Sequence, residues 1–115
     1  RDAASPRASG TLAAHYAPHA KLRLMSTADL RTALTILTGN RPPQGLAVYS
    51  RTVHKVEAGI DLKVMPERAD EAAHQLFAVL RGFDARGARL IWVEAPPADP
   101  DWDGVRDRLE RAAAA

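Results

Sequence analysis

No cysteine occurs among the 115 residues. Disulfides, thiolate nucleophiles and zinc sites built on sulfur are therefore excluded, and the chain is compatible with a reducing, cytoplasmic setting. No apolar run approaches the ~20 residues that a membrane span requires. The first ten residues, RDAASPRASG, lack the basic, apolar, small-residue order of a secretory signal and carry no initiator methionine. A fragment or a processed piece of a longer protein is the expectation. Excess charge of one sign is also missing, since sixteen basic and fourteen acidic residues leave a formal charge of only +2. The pI near 9.4 reflects that small surplus of strong bases, and acids interleave with bases in runs such as ERADE and RDRLER. A solvated face is the first reading of these charges, and a nucleic-acid surface the second.

What is present suits one hydrophobic core of ordinary size. Apolar residues make up 46% and charged residues 26%, the balance of a globular domain. Thirteen of the sixteen basic residues are arginine and twenty-three residues are alanine, which suggests a GC-rich genome. Lys21 to Met25 alternates polar and apolar, as a half-buried strand does. Ser26 to Asp29 then offers a capping start, and Leu30, Ala33, Leu34 and Leu37 fall on one helical face that stops near Gly39. After the turn-rich residues 39–45, Leu46 to Tyr49 and Leu62 to Met65 read as short strands, with residues 50–61 left open. Ala73, Leu76, Phe77, Leu80 and Phe83 form one stripe of a helix over about residues 70–84, closed by Gly87. Leu90 to Val93 is a continuous apolar run, as in a strand covered on both faces. Asp99-Pro100 starts a last helix whose inner face is Trp102, Val105 and Leu109.

The order strand, helix, strand, strand, helix, strand, helix implies an α/β fold. The expectation is a small Rossmann-like three-layer domain over residues 21–115, with a mainly parallel sheet of about four to five strands and helices on both faces. Residues 1–20 precede it as an extended linker.

Several chemistries are weighed and set aside. The first strand-to-helix turn, Met25-Ser26-Thr27-Ala28, has no glycine through which a pyrophosphate could approach the backbone, so dinucleotide binding is disfavoured. Residues 99–110, DPDWDGVRDRLE, satisfy the spacing of a calcium loop in full. A strand ending in Pro96 and Pro97 precedes them, however, and Arg106 stands where such loops prefer an apolar side chain, so they read as a helix start. Glu94, at the end of its strand, lies near the carboxyl edge where open α/β sheets hold ligands. Capping of a neighbouring loop is favoured for it over a role as a base. His19, His54 and His74 show no metal-ligand spacing, and His74 is expected half-buried beside the stripe of its helix. No serine elbow or phosphate loop is present.

The linker is distinctive. Pro18 pushes Ala17 towards an extended backbone, so His15 and Tyr16 sit on a stiffened arm, with Gly10 behind them as a hinge. Ser9-Gly10-Thr11-Leu12-Ala13-Ala14-His15-Tyr16-Ala17-Pro18 resembles the interdomain linker of two-domain L-threonylcarbamoyladenylate synthases, in which a glycine, four further residues and His-Tyr-Ala-Pro follow in order. The resemblance continues through the Leu76 to Asp84 helix, the Ile91 to Glu94 strand and the Trp102 to Arg111 helix.

It implies a Rossmann-like carboxy-terminal domain joined to an amino-terminal YrdC-like catalytic domain. The enzyme would make threonylcarbamoyl-adenylate from threonine, bicarbonate and ATP with magnesium, for the modification of adenosine 37 in transfer RNA. By the same resemblance Ser9, Gly10, His15, Tyr16 and Pro18 are lid residues over the catalytic domain's active site, and this chain carries no catalytic residue, metal or cofactor of its own. Lys21-Leu22-Arg23 matches the catalytic domain's Lys-x-Arg only superficially, because no Ser-x-Asn accompanies it. Contact with ligand and docking of the two domains are both open roles for His15 and Tyr16. A module binding transfer RNA through its arginines, and a stand-alone small-ligand domain, are the alternatives.

Overall fold

The structure is a computed structural model, and it describes residues 16–115. Four strands are present among these residues: β1 (Lys21–Met25), β2 (Leu46–Ser50), β3 (Asp61–Val64) and β4 (Leu90–Glu94). The helices are α1 (Thr27–Leu37), α2 (Ala69–Ala85) and α3 (Asp103–Ala114), the last preceded by a 3-10 turn, Pro100–Trp102. The sheet order is β1-β4-β2-β3, and every pairing is parallel. β4 therefore lies between β1 and β2, in register Leu22 to Ile91 on one side and Ala47 to Ile91 on the other.

A parallel sheet buries both faces, and the side chains of β4 divide accordingly. Ile91 and Val93 join Leu22, Ala47 and Tyr49 in a core closed by α2, the 3-10 turn and α3 through Leu76, Leu80, Phe83, Trp102, Val105 and Leu109. Leu90 and Trp92 turn to the opposite face, where Leu46 and Val48 meet Leu30, Leu34 and Leu37 of α1. The three layers expected from the sequence are thus present, with one helix on one face and two on the other. Tyr49 is fully buried; its ring meets Phe83 edge-on at 6.3 Å, and its hydroxyl accepts from Gln75 Nε2 at 2.9 Å.

The single helix α1 would leave half of its face bare, and residues 51–60 fill the gap. They connect β2 to β3 without a helix, and Val53, Val56 and Ile60 pack beside Leu30 and Leu62. Local signals set the helix ends. Ser26 Oγ accepts from the Asp29 N–H at 3.0 Å, as its capping role requires, and Gly87 takes φ +89 just beyond α2. One expectation is corrected: His74 is exposed. The buried residues of α2 are Ala72, Leu76, Leu80 and Phe83, and a residue two beyond Ala72 is turned well away from that line. Among the described residues no helix is long and apolar enough to cross a membrane.

Candidate functional site

In a parallel sheet all strands end on the same edge, so their last residues gather there. Glu94 ends β4, fully buried, opposite Met25 of β1. Ser50 ends β2, and the chain turns sharply past it. Glu94 Oε1 accepts from Ser50 Oγ at 2.7 Å, from the Arg51 N–H at 2.9 Å and from the Thr52 N–H at 3.1 Å. Its Oε2 accepts from Thr27 Oγ1 at 2.5 Å and from Thr52 Oγ1 at 3.0 Å. Arg51 Nη2 lies 3.6 Å from Oε2, and its guanidinium sits over the Trp102 ring at 5.7 Å. Burial pushes the Glu94 carboxyl up, but the donors from Thr27, Ser50 and Thr52 outweigh it and hold the group at about 2. A carboxylate so saturated is a poor proton acceptor near neutrality. It caps the 50–53 turn, assisted by Ser50 Oγ, which also accepts from the Val53 N–H at 2.9 Å. Capping, the favoured reading of Glu94, is what the geometry provides.

Beyond Trp102 a groove of about 650 Å³ runs between the start of α2 and the start of α3, lined by Arg68, Asp70, Asp101, Trp102 and Arg108. Arg68 is already paired with Asp70 at 2.7 Å. The calcium-like run forms the far wall as a helix start. Asp99 Oδ1 accepts from the Asp101 N–H at 2.8 Å, and Asp103 Oδ1 accepts from Arg106 Nη1 at 2.7 Å. These acids are spent on the first turns and on a side-chain pair. Among the described residues no group of three or more His, Cys, Asp or Glu is arranged to hold a metal ion. His54 is bound to the Arg51 carbonyl at 2.9 Å, and His19 and His74 lie elsewhere on the surface.

The second assembly is at the opposite edge, where the chain enters β1. The Tyr16 hydroxyl donates to Asp84 Oδ2, as does the His19 N–H at 2.8 Å, while the Ala20 N–H donates to Asp84 Oδ1 at 3.1 Å. Arg81, three residues before Asp84 and so on the same face of α2, lies over the Tyr16 ring at 5.6 Å. Burial pushes the Tyr16 phenol up, and the hydrogen bond to Asp84 and its charge add to that, raising it to about 12. For Asp84 itself burial raises the pKa, and the bonds from Tyr16, His19 and Ala20 overcome this to hold it below the usual range.

The family described as Threonylcarbamoyl-AMP synthase, C-terminal domain, matches residues 1–114. The chain belongs to that family. No curated protein and no solved structure matches it. Of the linker residues singled out by their order, Tyr16 and Pro18 are half-buried against this threonylcarbamoyl-AMP synthase domain. Ser9, Gly10 and His15 lie outside the described residues. Asp84, which gathers residues 16–20, was not singled out from the sequence. The one signal it gave is an acid in the last turn of a helix, where the macrodipole disfavours negative charge.

Proposed function

We propose that this chain is the accessory domain of a threonylcarbamoyl-AMP synthase, and that its linker gates the active site of an amino-terminal YrdC-like domain. That domain binds ATP with magnesium, threonine and bicarbonate and forms threonylcarbamoyl-AMP for transfer-RNA modification; this domain contributes the cover. Ser9, Gly10, His15, Tyr16 and Pro18 are its lid residues, and of these Tyr16 and Pro18 are half-buried. The observation that carries the reading is the fastening of residues 16–20 to α2 through Asp84. A cover can exclude water only if one end is fixed, and here that end is fixed by three hydrogen bonds to one carboxylate. The product is a mixed anhydride of a carbamate and a phosphate, which water cleaves, so exclusion of water preserves it. The saturated state of Glu94 supports a non-catalytic domain.

The test compares the catalytic domain alone with the same domain joined to this chain, following threonine- and bicarbonate-dependent release of pyrophosphate from ATP together with survival of the adenylate. The expected result is a longer-lived adenylate and at least a several-fold change in rate when the chain is joined. Identical kinetics and identical adenylate lifetimes would overturn the proposal. A gel shift with transfer RNA that fades with salt would instead support the nucleic-acid reading.

A further inference from the structure

Asp84 has a placement that its own helix does not explain. It sits in the last turn of α2, at the negative end of the helix dipole, in a turn with no basic residue. Its side chain is only 10% exposed. The contacts that offset this all come from one short segment some sixty-five residues earlier in the chain: the Tyr16 hydroxyl and the consecutive N–H groups of His19 and Ala20. His19 Nδ1 is 3.8 Å away as well. From the next residue the backbone is already in the sheet, since the Lys21 N–H donates to the Arg89 carbonyl at 2.9 Å. The Tyr16 hydroxyl meets Asp84 and its ring meets Arg81, and neither belongs to the carboxyl-edge site.

We propose that Asp84 is a positioning residue for the linker, clamping residues 16–20 to α2, and that Tyr16 acts through this clamp instead of touching substrate. The inference rests on the gating reading above and deepens it. A phenol whose proton is committed to a carboxylate on its own domain does not donate it to a nucleotide on another. The ring is likewise occupied by Arg81. Asp84 therefore fixes where residues 16–20 lie on this domain, and Tyr16 serves that placement.

Two measurements on the full chain, joined to its catalytic domain, test this. The first is amide hydrogen exchange of Asp84→Ala and Asp84→Asn. The His19 and Ala20 amides should exchange at least about tenfold faster in Asp84→Ala, with partial rescue in Asp84→Asn, which keeps one acceptor oxygen, while β4 amides stay protected and report an intact fold. Unchanged protection at His19 and Ala20 overturns the clamp, whatever the kinetics show. The second is a cycle of Asp84→Ala, Tyr16→Phe and the double variant, read as adenylate lifetime and as KM against kcat. The double variant should be no worse than Asp84→Ala alone, because both changes break one device. If Tyr16→Phe lowers kcat further in the Asp84→Ala background, Tyr16 has its own contact with substrate and the proposal falls. Faster exchange with kinetics unchanged in every variant keeps the clamp but overturns the gating on which its positioning role depends.

Discussion

Replacing Glu94 with glutamine keeps the shape of the side chain and removes its charge, which isolates what the charge contributes. Folding takes this carboxyl from an ordinary 4.5 to about 2; at about 1.4 kcal/mol per pH unit, that corresponds to roughly 3 kcal/mol of stability near neutrality. Because the folded value is depressed, the unfolded chain binds the proton more tightly. The contribution is complete above about pH 4.5, shrinks as the pH falls and is gone near pH 2. Glu94→Gln should therefore be less stable than the parent by about 2–3 kcal/mol at pH 7, allowing for the one amide oxygen that still accepts. Glu94→Ala should cost more, about 3–5 kcal/mol, since it strips the acceptor from two backbone N–H groups and leaves the mostly buried Arg51 without its partner. For a domain whose total stability is about 5–15 kcal/mol, either loss is large. Urea unfolding at pH 7, 4 and 3 measures it, with Trp102 fluorescence as reporter because Arg51 lies on that ring. The decisive quantity is the gap between parent and Glu94→Gln, in which the other carboxylates cancel. A gap of the same size at pH 7 and pH 3 would refute the reasoning, because a charge that folding does not stabilise has no such pH dependence.

Three other outcomes follow from the core, a turn and the helix start. Phe83→Ala opens a cavity beside Tyr49 and Leu80 and should cost about 3–5 kcal/mol in the same urea assay, with Tyr49 losing its edge-on neighbour. Gly45→Ala should destabilise by about 1–3 kcal/mol: Gly45 holds φ +80 and a Cβ there would stand 3.1 Å from the Arg89 nitrogen, whose N–H donates to the Gly45 carbonyl at 2.8 Å. Millimolar calcium should leave the melting temperature where equal magnesium leaves it, since Asp99 caps the turn before α3 and Asp103 and Asp107 are paired with Arg106 and Arg111; a calcium-specific rise of several degrees would restore the metal reading.

The element order was legible because each strand and helix carries its own period. Leu90 to Val93 reads as a doubly covered strand, and it lies between two neighbours. Trp102, Val105 and Leu109 read as one helical face, and all three are buried. Residues 51–60 were not legible, for a physical reason. Val53, Val56 and Ile60 are spaced as on a helix, yet they cover the sheet beside α1 as a loop tied to Ser50 and Glu94. Tertiary contacts decide that segment, and a local pattern cannot report them. The position of Glu94 at the carboxyl edge could be read from its strand, but its partners Thr27, Ser50 and Thr52 come from segments that only the fold brings together. His74 was placed by nearness to a stripe, and the exact turn of α2 sent it outward. Tyr16 was marked by its residue type and the proline after it. Asp84, its partner, lies 68 residues away in the chain, beyond the reach of any local rule.

The two assemblies are at opposite ends of the same strands, and that separation constrains how the domain can work. Glu94 and the groove beyond it lie at the carboxyl edge, where sheets of this kind hold ligands. Asp84 and residues 16–20 lie at the amino edge, because α2 runs back across the sheet and β1 begins there. Five-residue strands at about 3.3 Å per residue put about 16 Å between the two edges. Residues 16–20 are therefore held at the end of the sheet that faces away from the groove. Any coupling between them would have to pass through β1 and β4, whose close-packed core resists small displacements. The expected outcome is independence: Asp84→Ala and Arg108→Ala should have stability costs that add within about 0.5 kcal/mol in the double variant. Urea unfolding of the two single variants and the double variant measures this. A coupling well above that figure would mean that the sheet transmits strain from one edge to the other, and the division of the domain into a clamped end and a separate groove would no longer hold.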